Sequence, residues 1–167
     1  MDTEKRGVSM EFPMIELPSF KAVSSGVDTN VDFSDEGILG KFNAYFSKLS
    51  PRPENSFMPR DFLMFDHSKG GMVWLYALTD ELETDGYDIV DFVGGYFLTY
   101  VYKDGDEIAG QELFKKAKEF IAHSAHLEFD ISENRPMMGH IITPKKIIEE
   151  QGWAQMESFI PIRLLNN

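Results

Sequence analysis

The 167-residue chain contains no cysteine. A disulfide framework, a thiolate nucleophile, a zinc ribbon and an iron–sulfur site are therefore excluded. Basic residues are also scarce: 16 Lys and Arg stand against 28 Asp and Glu, a formal net charge of −12, and no basic run exceeds two residues. Direct nucleic-acid binding by this chain is not expected, because phosphates would be repelled over most of its surface. Long apolar runs are missing too. Segments such as 73–78 and 160–162 fall far short of the roughly 20 residues a membrane span needs, so no membrane partner is expected. Residues 1–12 carry mixed charges and no apolar stretch, no secretory signal is read there, and a cytoplasmic location is expected. Glycine (13) and proline (8) are too few for a fibrous or low-complexity chain. Rings are abundant instead, with 14 Phe, 6 Tyr and 2 Trp, more than a core of this size requires, so some are available to a ligand.

Hydrophobic periodicity divides the chain into short elements. Residues 10–24 read as a strand interrupted by Pro13 and Pro18, and 35–49 as a one-faced helix with Ser34 as N-cap. Residues 50–56 hold two prolines and read as a loop. Segments 62–65 and 72–78 form a hairpin, and 79–88 is a polar connection. The pattern then restarts: a strand over 92–102 opening on Gly94-Gly95, a helix over 107–124, strands at 127–131 and 137–142, one or two helical turns at 145–150 after Thr143-Pro144, and a last strand at 156–165. The predicted fold class is α+β. Two strand-helix-strand-strand modules (halves about 11–80 and 88–167, after an N-terminal extension at 1–10) form an antiparallel sheet with helices on one face. A ligand groove is expected at the seam between the halves, a favoured place for a pocket.

The four histidines give little chemistry. His123 and His126 could share a metal but read more simply as a solvated helix end, and His67 lies in the hairpin turn. No phosphate-binding glycine loop and no Gly-x-Ser-x-Gly elbow is present. The aromatic strands say more: Met72, Trp74 and Tyr76 share one strand face, and Tyr96, Leu98, Tyr100 and Tyr102 share another. Tyrosine hydroxyls need partners, which favours a wet cavity beside them. Glu157 lies on the same strand side as Phe159 among apolar neighbours. Facing a groove, it would be poorly solvated and would favour a cationic guest, aided by cation–π contacts of about 0.5 to 2 kcal/mol per ring.

Three segments occur in order: Pro13-Met14-Ile15-Glu16-Leu17-Pro18-Ser19-Phe20-Lys21-Ala22-Val23, then Val93-Gly94-Gly95-Tyr96, then Met156-Glu157-Ser158-Phe159-Ile160-Pro161-Ile162. They resemble the opening, middle and closing signatures of the GyrI-like small-molecule-binding superfamily, whose members are effector-binding domains of bacterial AraC-type and MerR-type regulators or stand alone. The resemblance runs from about Glu11 onwards. It implies a pocket for hydrophobic, often cationic, drugs, with Glu157 as the glutamate of the closing strand and Tyr96 as the aromatic after the glycine pair. Multidrug-binding members carry a second glutamate where this chain has Met137-Met138-Gly139-His140, and the adaptable methionines suit a broad apolar ligand. Residues 5–12 resemble the joint after an AraC-type helix-turn-helix pair, and a DNA-binding domain or a second copy is the implied partner. The expected ligand-binding residues are Glu157, Tyr96, Trp74, Tyr76, Phe159, Tyr100, Met138 and His140. No catalytic residue, metal or cofactor is assigned. Two competing readings are a GyrI-like hydrolase of strained cyclopropane-bearing toxins, in which Glu157 and a tyrosine activate water, and an interaction module without a ligand.

Overall fold

The computed structural model describes residues 12–49, 58–79 and 82–166. The loop read at 50–56, the N-terminal extension and all of the 5–12 joint except Phe12 lie outside them. In chain order the elements are β1 (Met14–Leu17), β2 (Phe20–Ser24), α1 (Ile38–Phe46), β3 (Asp61–Asp66), β4 (Gly71–Ala77), β5 (Asp88–Phe92), β6 (Gly95–Lys103), α2 (Glu107–His123), β7 (Leu127–Phe129), β8 (Met138–Ile141), α3 (Lys145–Gln151) and β9 (Gln155–Leu164). All strand pairs are antiparallel. They form one curled sheet in the order β1-β6-β9-β8-β3-β4-β2-β5, with β7 added alongside β9.

That order is a palindrome under exchange of the two halves: β2-β4-β3 of the first answers β6-β9-β8 of the second. The halves meet where β3 pairs β8, with Leu63 opposite Gly139. Their first strands cross over, β1 pairing with β6 and β5 with β2. Each crossing strand is continuous with the next through a bend, at Pro18-Ser19 and at Val93-Gly94. The two bends press together. A Cβ on Gly94 would lie 2.2 Å from the Leu17 carbonyl oxygen, and the Gly94 N–H donates to Ser19 Oγ at 2.9 Å. Gly95 (φ 137°) admits the Arg135 guanidinium, whose Nη2 would lie 2.7 Å from an added Cβ. Arg135 stacks on Phe97, pairs with Asp130 and donates to the Tyr96 carbonyl.

Cross-strand pairing carries one row of side chains over five strands: Trp74, Leu63, Gly139, Ser158 and Tyr100. All share a face. Phe42 and Phe46 of α1 pack on Leu63, Trp74 and Tyr76 of this face, and Ala117 and Ile121 of α2 pack on Leu98, Tyr100, Ile160 and Ile162. Both main helices thus lie on one side, as the repeated element order predicts. The opposite, inner face is closed by rings: Phe62, Phe92, Phe97 and Phe159 join Leu75 and Met138 in one cluster.

Local boundaries differ from the sequence reading in four places. α1 starts at Ile38 rather than 35, with Gly37 as N-cap. Ser34 instead accepts the Gly37 N–H through its carbonyl, and a Cβ on Gly40 would sit 1.8 Å from that same oxygen, so the 33–34 segment lies against the helix start. The single strand at 10–24 is two, β1 and β2, because its halves pair with different partners. β5 was not anticipated, and Phe92 belongs to it. At α3, Pro144 is itself the N-cap, while Thr143 Oγ1 accepts the Gln155 N–H at 2.7 Å.

Candidate functional site

The two helices do not cover the whole outer face. α1 sits over β2, β3 and β4, α2 over β6 and β9, and between them the row across the sheet drops to Gly139 and Ser158, the smallest side chains in it. The result is a groove of about 620 Å³ at the seam. Trp74, Met72 and Phe33 wall it from the first half, Tyr102 and Met156 from the second, and Asp104 is a carboxylate on its lining. Phe33 meets the Trp74 ring edge-on at 5.8 Å. Gly139 leaves the floor open, and an added Cβ would first meet Met156 Sδ at 3.0 Å.

Trp74 is anchored from behind. Its Nε1–H donates to Asp61 Oδ2 at 3.0 Å. On the other side of Asp61, His140 Nδ1 lies 3.3 Å from Oδ1 and 3.1 Å from the Asp61 carbonyl oxygen. His140 is paired across the sheet with Glu157. Burial acts to lower the His140 pKa, but the hydrogen bonds and charge of Asp61 and the charge of Glu157 outweigh it and raise it above the ordinary imidazole value. Burial likewise raises Glu157 above the usual carboxylate range, against the pull of His140 and a Thr99 hydrogen bond.

The eight residues expected at the site are therefore distributed over two faces. Trp74, only 3% exposed, lines the groove, and Met138, which stands in the inner-face row with Phe159, borders both the groove and a cavity on the inner face. Tyr76 and Tyr100 share the groove face but are buried, Tyr76 stacked on Phe46 at 4.8 Å and Tyr100 hydrogen-bonded to Ser158, with burial raising the Tyr100 pKa. Tyr96 sits at the far end of β6, 39% exposed and opposite Ile162. Phe159 is buried on the inner face, edge-on to Phe62 at 5.7 Å, and Glu157 and His140 lie in the inner-face row with Phe62. These residues do not share one pocket: the sheet separates Glu157 and Phe159 from Trp74 and Tyr96. The reason is parity. Strand side chains alternate, and the register places Ser158, not Glu157, in the row with Trp74.

Sequence reading missed Tyr102, Met72, Met156, Asp104 and Gly139 as groove residues. For Tyr102 the signal was present, two residues beyond Tyr100 on the same face. A second cavity, about 560 Å³, opens on the inner face against Val73, Phe92 and Phe97, with Asp66, Asp88 and Glu133 among its lining. His123 Nδ1 lies 2.7 Å from the Glu119 carbonyl at the end of α2. Among the described residues no group of three or more His, Asp or Glu is placed to hold a metal, and no helix is long and apolar enough to cross a membrane.

A duplicated strand-helix-strand-strand unit, with both helices on one side of an antiparallel sheet and a groove between the halves, is the architecture expected from the resemblance to the GyrI-like superfamily. Among solved structures, the chain is similar to a hydrolase from Listeria innocua (11% identity, 92% of each chain covered, TM-score 0.57) and to an uncharacterized conserved protein from the same organism (10%, 92% of each, TM-score 0.55). A looser likeness, at TM-score 0.48 and 14% identity over 92% of this chain and 94% of the other, is to SAV2435 bound to tetraphenylphosphonium. At such identities the likeness concerns the fold alone. No protein-family model matches the sequence, and no curated protein matches it.

Proposed function

We propose that the chain binds a hydrophobic organic molecule, cations included, in the seam groove, as the effector-binding domain of a transcriptional regulator or as a stand-alone drug-binding protein. The observation that carries this reading is the groove itself. It is about 620 Å³, within the usual range for small-molecule pockets, and it joins an indole wall and polarizable methionines to very few polar groups. Asp104 gives it one carboxylate and no lysine or arginine opposes it on the lining, which favours a cation or a neutral ligand over an anion. A hydrolytic reading has less support, because Glu157 faces away from the groove and its polar neighbours are His140 and Thr99.

The test is a thermal-shift and fluorescence screen of cationic aromatic dyes against the protein and against Gly139→Leu, which fills the groove floor. A dye at 100 times its Kd should add about 2.7 kcal/mol to the stability of the native protein, with at least a tenfold weaker response in the filled variant. No response to any dye, or equal responses from both proteins, would remove the seam groove as the binding site.

A further inference from the structure

We propose that Asp61 is a positioning residue for the groove and that His140 makes its hold on Trp74 proton-dependent, so that the charge behind the aromatic wall follows pH. The effect on ligand capture rests on the groove reading above; the coupling of His140 to Trp74 rests on geometry alone.

Asp61 is the first residue of β3, and its carboxylate has two different neighbours. Oδ2 accepts the indole N–H of Trp74 at 3.0 Å, and Oδ1 lies 3.3 Å from His140 Nδ1. His140 Nδ1 also faces the Asp61 carbonyl oxygen at 3.1 Å. Both of its neighbours are acceptors, so Nδ1 carries a proton whether the ring is neutral or cationic, and Nε2 is the nitrogen that titrates. The charged groups facing the ring are Asp61 from β3 and Glu157 from β9. The His140 and Asp61 side chains are only 16% and 15% exposed, so a change of charge between them is weakly screened. When Nε2 loses its proton, the Asp61 carboxylate keeps its donors but loses the neighbouring positive charge, and the back of the groove becomes more negative. Cations in the groove should then bind more tightly and neutral ligands should be unaffected. By linkage, a bound cation lowers the His140 titration midpoint.

Indole N–H resonances report the coupling without any ligand. Trp74 and Trp153 are the two tryptophans, and Trp153→Phe assigns the pair. The Trp74 N–H shift should follow one midpoint, above the ordinary imidazole value, and the same midpoint should govern the His140 ring protons. The shift should vanish in His140→Gln. In Asp61→Asn, which leaves an acceptor for the indole but removes the charge, the His140 midpoint should fall. A Trp74 resonance that is flat while His140 titrates, or one that still titrates in His140→Gln, overturns the proposal. Calorimetry with N-methylacridinium and its neutral isostere 9-methylanthracene then reads the functional side. The cation should gain about threefold in affinity as His140 deprotonates, as expected for charges separated by the indole, and the hydrocarbon nothing. Equal pH dependence for both overturns the charge mechanism. Failure of both to bind at any pH overturns the groove reading, while the indole titration still decides the coupling.

Discussion

The two faces of the sheet are built from the same strands and reach opposite ends. On the inner face, rings from five strands meet one another, and Phe62 alone packs near Phe20, Phe92 and Phe159. On the outer face the strands are roofed by two helices whose footprints do not touch, and the uncovered strip has Gly139 and Ser158 at its centre. A face that closes on itself becomes core; a face that depends on separate roofing elements keeps an opening wherever the roof ends. The seam is where the roof ends, since each half brings one helix and centres it on its own strands.

The comparison is broken most directly by removing one large side chain from each face. Phe62→Ala should cost about 3 to 5 kcal/mol, because a fully buried ring leaves a cavity its neighbours cannot fill. Met72→Ala, on the groove wall, should cost less than about 1 kcal/mol, because solvent already reaches it. Urea unfolding of both variants is the measurement, and similar losses would mean that the groove is closed in solution.

A smaller effect separates two glycines. Gly94→Ala should cost about 1 to 3 kcal/mol, since its Cβ would meet backbone atoms of the opposing bend that cannot move independently. Gly139→Ala should cost less than about 1 kcal/mol, since its nearest obstacle is the flexible end of Met156. Equal thermal midpoints for the two variants would show that the bends are not in close contact.

How much of this contrast could be read in the sequence depended on which interactions set each element. α2 was legible because one amphipathic stripe fixes it locally, and the structure adds a cap at Asp106, whose carboxylate accepts the Ala109 N–H. The β3–β4 hairpin was legible from its apolar runs on either side of Gly70-Gly71. β5 was not: Asp88-Ile89-Val90-Asp91-Phe92 does not alternate, and it becomes a strand by pairing with β2, far away in sequence. The site was half legible. Period-two alternation correctly put Glu157 with Phe159 and Trp74 with Tyr76. It could not say which of these sets shares a face, because that depends on the β3–β8 and β8–β9 registers, and one residue of register exchanges the faces. Asp61 carried no signal, as its role comes only from the partners that two other strands bring to it.

The smallest expected effect concerns pH. The raised pKa of Glu157 means that the native protein keeps a proton that the unfolded chain has released, so stability should fall as pH rises above the ordinary carboxylate range. His140 acts with the same sign in a higher window: its contribution is complete below the ordinary imidazole value and is lost as pH rises through the raised one. Glu157→Gln should fold normally and flatten the first part of this slope, measured by thermal unfolding across acidic to neutral pH. An unchanged slope would mean that Glu157 is solvated and plays no part in the balance between the faces.

The crossing of β1 to β6 and of β5 to β2 makes the two halves mutually dependent in the way of a domain-swapped dimer whose subunits have been fused into one chain. Neither half holds all the strands of its own side: each is completed by the other's leading strand, and the pressed bends lock the exchange. Half of the chain expressed alone would keep an unpaired strand edge and an unused arm, and would be satisfied by a second copy of itself. Cutting the connection between the halves would leave two fragments interlocked rather than two domains set free. Because the contacts that close the sheet join residues far apart in sequence, such as Leu17 and Gly95, the arms must find each other late, and folding should be slow for a chain of this length.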